Sequence, residues 1–137
     1  ANNPVGLAVV EALGVLDWRR ENLYVLSIGC TESPIAIPEN AGITGLALKM
    51  ADLFMRGQSL GSIGTAKLLL GGYQGDTGRL FRYQHVAPQG EFELDAVAQI
   101  TALKGIGAGM ARHALPEIIS TFLGAGRSSF TPCHPRL

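Results

Sequence analysis

The sequence has little of what usually announces a function. Eleven basic and eleven acidic residues cancel, so no net field recruits nucleic acid or an anionic surface. Cysteine is scarce. Cys30 and Cys133 lie far apart and make no disulfide framework, which leaves a single bridge open and a reducing compartment as the simpler expectation. No apolar run approaches the roughly 20 residues of a membrane span. The first residues carry neither a Met nor the basic region of a signal peptide, so an internal start is expected. Cytoplasmic or peripheral-membrane localisation fits these absences. No internal repeat is present. What is present, 47% hydrophobic and 16% charged residues over 137 positions, fits one globular domain or part of one and excludes a disordered chain.

Residues 1–30 organise the rest. Asn3 is a good helix N-cap, and Pro4 follows at the first helical position, where its missing N–H costs nothing. From Val5 to Leu16 the only polar side chain is Glu11, so a helix over 4–16 is expected to be packed on several sides. Leu23 to Ile28 is an apolar run rather than an alternation, which predicts a strand covered on both faces. Gly29 permits a tight turn at its C-terminal end, where open α/β sheets place their ligands.

Ala1-Asn2-Asn3-Pro4 and Val25-Leu26-Ser27-Ile28-Gly29 resemble two landmarks of the patatin-like phospholipase family. In that family an Asp-Gly-Gly or Asp-Gly-Ala motif runs into an Asn-Asn-Pro helix start, and the helix leads to a Val-Leu-Ser-Leu-Gly strand. The resemblance continues through Gly57-Gln58-Ser59, the Leu80-Phe81-Arg82 strand and the Ala-rich C-terminal helices. It implies the C-terminal portion of a three-layer α/β/α fold, helix-rich with about two strands, over residues 1–123; the Gly-, Ser- and Pro-rich composition of 124–137 predicts a flexible tail. It also implies a Ser–Asp dyad and a glycine-rich oxyanion loop upstream of Ala1, so no catalytic residue is assigned within this chain. Asn2, Asn3, Pro4 and Gly29 would be structural supports of that site. The implied substrate is a phospholipid or another acyl-ester lipid, with a membrane surface as a further partner and no metal or organic cofactor.

Beyond residue 30 the patterns are coarser. Asp17 to Asn22 is a polar connection in which Trp18 is read as covering the helix end. Pro34 and Pro38 make 31–40 a loop, read as packed surface or as the wall of an acyl pocket. Ile43 to Arg56 predicts an amphipathic helix with Ile43, Leu46, Ala47, Met50, Leu53 and Phe54 inward and Lys49, Asp52 and Arg56 outward. Leu48, Ala51 and Met55 widen the apolar sector, which suits either a second packing neighbour or a lipid-facing surface. A separate helix is expected from Ser59 or Ser62 to Leu70, stopped by Gly71-Gly72. Arg79 to Val86 reads as a half-exposed strand, with Phe81, Tyr83 and His85 on one face and Arg82 and Gln84 on the other. Pro88-Gln89-Gly90 marks a turn, and Asp95 is a candidate cap for a helix towards Lys104. Gly105, Gly107 and Gly109 are expected to interrupt it, before a last helix with Ala111, Leu115, Ile118 and Phe122 inward and a kink at Pro116.

One catalytic motif appears literally: Gly57-Gln58-Ser59-Leu60-Gly61 fits G-x-S-x-G, and Asp76 and His85 follow in α/β-hydrolase order. Its context argues against it. A nucleophile elbow needs a strand before the Ser, whereas a helix precedes Ser59; Gly57 is expected to end that helix and Ser59 to cap the next. Cys133-His134 supplies only two potential ligands on a tail, too few for a metal site. His85 and His113 are read as structural, and Glu91 and Glu93 as solvated. Three functions remain open: the C-terminal part of a serine lipid acyl hydrolase, a non-catalytic partner- or membrane-binding segment, and a small hydrolase built on Ser59. With about two strands to cover so apolar a helix, the 137 residues alone are expected to expose apolar surface, self-associate or require an N-terminal part.

Overall fold

The computed structural model describes residues 3–35, 42–72, 78–88, 91–92 and 97–126. Asn2, Pro38, Asp76, Asp95 and Cys133-His134, with most of the expected tail, lie outside the described residues. The chain runs α1 (Val5–Gly14), a 3₁₀ turn (Arg20–Asn22), β1 (Val25–Glu32), α2 (Ile43–Leu69), β2 (Leu80–Val86), a second 3₁₀ turn (Val97–Gln99) and α3 (Ile100–Ile118). A π-helical turn, Ile119–Leu123, follows α3 directly. β1 and β2 pair in parallel, Val25 opposite Leu80 through Glu32 opposite Val86, with α2 as the crossover. The fold is the helix-rich α/β arrangement with two strands that the sequence predicts.

The core sits between α1, the C-terminal half of α2 and one face of the sheet. Val5, Val9 and Ala12 form a helical stripe and are buried against Ala66, Leu70 and Leu23. Ile63, Leu69, Val25 and Leu80 pack partly buried around them. The two helices approach closely at Gly6, where a Cβ would stand 2.8 Å from the Ser62 carbonyl oxygen. α3 lies on the other face of the sheet. Phe122 just beyond its end meets Phe81 edge-on at 5.3 Å, and Tyr83 donates its hydroxyl to Glu117 Oε2 at 2.7 Å.

Several expectations are corrected. α1 begins at Val5 with Pro4 ahead of it, and Ala8 N–H bonds to the Pro4 carbonyl. Asn3 therefore stands one position before the helix cap, yet its Oδ1 still accepts the Val5 N–H at 3.3 Å. The helix ends at Gly14 rather than residue 16. Leu16 and Trp18 turn their N–H groups back to the Glu11 and Ala12 carbonyls, and Asp17 reverses the chain at φ 53°. Trp18 is exposed rather than folded over the helix end. Nor is α1 covered on several sides within the described residues: Leu7 and Val10 are 64% and 46% exposed. β1 starts at Val25 and continues through Gly29, and its α3-facing side is open enough to leave Ile28 74% exposed.

The largest correction is α2. It is one helix of 27 residues, with no stop at Gly57 and no cap at Ser59. Packing of Ser59, Ser62, Ile63, Ala66 and Leu70 against α1 and the core outweighs the helix cost of each glycine, about 1 kcal/mol. In its N-terminal half the described members of the expected inward stripe, Ile43, Ala47, Met50, Leu53 and Phe54, face out. Ile43 is 90% and Phe54 69% exposed, while Lys49, Asp52 and Arg56 turn toward the sheet. α3 also runs unbroken through Gly105, Gly107 and Gly109 and carries Pro116 inside it. Its sheet-facing line is Leu103, Ile106, Met110, Ala114 and Ile118; of the expected inward set Ala111, Ile118 and Phe122 lie on the sheet side, and Leu115 is exposed instead.

Candidate functional site

Because Lys49, Asp52 and Arg56 face the sheet, the N-terminal half of α2 does not close on it. A groove of about 690 Å³ is left between them at the C-terminal ends of the parallel strands. Asn3 and Ser59 stand where α1 meets α2, at one end of this groove. Asn3 is 5% exposed and fully engaged. Its Nδ2 donates to Ser59 Oγ at 3.1 Å and its carbonyl accepts the Ser62 hydroxyl at 2.6 Å. Ser62 Oγ also accepts the Gly6 N–H at 2.9 Å. The first turn of α1 is thereby clipped to the middle of α2.

The floor of the groove is a chain of polar side chains over the sheet. Arg82 donates through Nη1 to the buried Ser27 Oγ at 2.6 Å and through Nη2 to Gln84 Oε1. Gln84 Nε2 donates to Glu32 Oε2 at 2.5 Å, and Glu32 Oε1 lies 3.5 Å from Arg56 Nε. The register of β1 makes this chain continuous. Between Ile28 opposite Tyr83 and Thr31 opposite His85, two residues of β1, Gly29 and Cys30, face the single Gln84. The extra residue reverses the alternation, so that Glu32 shares the face of Ser27, Arg82 and Gln84.

Gly29 therefore has a different role from the turn expected of it. Its bare Cα makes room: a Cβ there would stand 2.8 Å from Gln84 Oε1 and 3.0 Å from Arg82 Nη2. Cys30 beside it is a free, exposed thiol.

Across the sheet, a second cavity of about 430 Å³ separates Ile28, Tyr83 and His85 from α3 and is lined mainly by apolar side chains. His85 lies on the strand face edge-on to Phe92 at 6.5 Å, and His113 is exposed on the surface of α3, the positions expected of them. The Tyr83 phenol is held above its ordinary pKa of 10.0 because the protonated hydroxyl donates a hydrogen bond to Glu117, with desolvation and the carboxylate charge adding to the effect.

Asn3 and Pro4 are thus brought to the groove with Gly29, while Asn2 lies outside the described residues. Ser59 sits mid-helix with its hydroxyl held by Asn3, which is not the strand–turn–helix geometry of a nucleophile elbow. Among the described residues, no group of three His, Cys, Asp or Glu is placed to hold a metal ion. Ser27, Glu32, Arg56, Arg82 and Gln84 were not singled out by sequence. The signal for two of them was present, since the β2 alternation puts Arg82 and Gln84 on one face. No protein-family model, curated protein or solved structure matches this chain. Among the described residues, no helix is long and apolar enough to cross a membrane.

Proposed function

We propose that these residues form the C-terminal part of a patatin-like serine lipid acyl hydrolase, the scaffold beneath a Ser–Asp dyad carried by upstream sequence. The observation that carries this reading is the buried Asn3, whose side chain and carbonyl fix the start of α1 at one end of the groove. An Asp-Gly motif directly before Ala1 would then be held beside that groove. In this mechanism the Ser attacks the acyl carbonyl of a lipid ester with the Asp as base. Backbone amides of a glycine-rich loop hold the oxyanion, and water releases the fatty acid without a metal or organic cofactor. The bare apolar sides of α1 and the sheet, at Leu7, Val10 and Ile28, support the same reading, because they require cover that an N-terminal part of the domain would supply.

Fluorophosphonate labelling of the complete gene product tests it. The expected result is a labelled serine upstream of Ala1, with loss of ester hydrolysis. Labelling at Ser59, or neither labelling nor ester turnover, overturns the proposal. A second reading, a partner- or membrane-binding segment without catalysis, is favoured by the outward stripe of Ile43, Met50, Leu53 and Phe54. Vesicle or partner binding by a product with no hydrolase activity would support it.

A further inference from the structure

We infer that the groove over the C-terminal ends of β1 and β2 binds a single-chain anionic amphiphile, with Arg82 taking its carboxylate or phosphate head. A guanidinium carries five N–H donors, and Arg82 commits only two of them, both to neutral acceptors, Ser27 and Gln84. Among the described residues no carboxylate lies within ion-pair distance of it. The nearest in the bonded chain is Glu32, which Gln84 separates from Arg82 and which already pairs with Arg56. Arg82 is half-buried and lines the groove, and no further hydrogen-bond partner for it is found among the described residues. Among the described residues, three cations, Lys49, Arg56 and Arg82, face two carboxylates, Asp52 and Glu32, an excess of positive charge along the lining.

The rest of the lining selects the class of ligand. Pro4, Ala8, Ile35 and Met55 supply aliphatic surface, and among the described residues no aromatic side chain lines the groove. A nucleotide would find nothing to stack its base on, whereas an alkyl chain finds matching walls. The groove's volume of about 690 Å³ admits a chain of medium length. Gly29 keeps Arg82 and Gln84 flat against the sheet, so the head group meets a preformed fork rather than a mobile side chain. The inference deepens the hydrolase reading at the same groove, but its test reads equilibrium binding without turnover, so either can fail without the other.

Calorimetric titration of the complete gene product with decanoate, decyl phosphate, inorganic phosphate and decanol tests it. Decanoate or decyl phosphate should saturate the protein and bind roughly tenfold or more tightly than both decanol and inorganic phosphate. Arg82→Gln should reduce anionic-amphiphile binding to the decanol level, and Arg82→Lys should retain part of it, because the charge remains without the fork. Equal binding of decanol overturns the anion site, and equal binding of inorganic phosphate overturns the amphiphile class. Unchanged affinity in a folded Arg82→Gln variant overturns the role of Arg82. The wild-type comparison decides the question even where a variant fails to fold.

Discussion

The two halves of α2 use the same face of one helix in opposite ways. Along positions 49, 52, 56, 59, 63, 66 and 70 the sheet-facing line changes from charged through serine to apolar. Past Ser59 it closes onto α1 and the sheet and excludes water. Before Ser59 it carries Lys49, Asp52 and Arg56 over an open groove, while Ile43, Met50, Leu53 and Phe54 of that half are exposed. The difference shows how one helix can serve as both core and lining. Apolar burial fixes its position at one end, and that anchorage holds charged side chains over the strand ends at the other.

The sharpest way to break this comparison is to empty the closed half. Leu70→Ala removes a side chain that is 1% exposed and should cost about 2–5 kcal/mol in denaturant unfolding. Gly6→Val drives a side chain into the Ser62 backbone and should cost about 1–3 kcal/mol by the same measurement. Asn3→Ala removes the acceptor for Val5 and the donor to Ser59, for a loss of about 1 kcal/mol. At the junction of the halves the sign reverses. Nothing lies near a Cβ built at Gly57, so Gly57→Ala should stabilise the continuous helix by about 0.5–1 kcal/mol; a loss would mean that the helix breaks there. Phe54→Ser in the outward stripe should leave stability within about 0.5 kcal/mol, and a cost like that of Leu70 would show the stripe to be covered.

The smallest expected effect is a titration on the other face of the sheet. With its folded pKa raised above 10.0, Tyr83 contributes stability that is complete below its unfolded pKa and lost as pH rises through the folded value. Ultraviolet titration should find a phenol ionising above the ordinary range, and Glu117→Gln should bring it down.

These contrasts also mark what was legible in the sequence. β2 was readable because period-two alternation needs no knowledge of the partner, and its two faces hold as expected at Phe81, Tyr83, Arg82 and Gln84. β1 was readable only to Gly29. The bulge breaks the period there, and a glycine that makes room for Arg82 looks in sequence like one that turns the chain. The switch of sides within α2 produced the same kind of error, because a change of apolar face near a glycine resembles the end of one helix and the start of another. Amphipathicity told which side of residues 43–56 is apolar but not what lies opposite it. The groove residues escaped because the pairing that assembles them joins segments remote in sequence.

That remoteness governs how the molecule assembles. The bonds of Asn3 to Ser59, Gly6 to Ser62, Ser27 to Arg82 and Glu32 to Gln84 span 56, 56, 55 and 52 positions. Each long segment must surrender its chain freedom before any of these contacts can offset the loss. During synthesis α1 and β1 are made well before the residues of α2 and β2 that they bond to. Contacts of this separation close later than local helix bonds, so the clip and the groove floor belong to the slow part of folding.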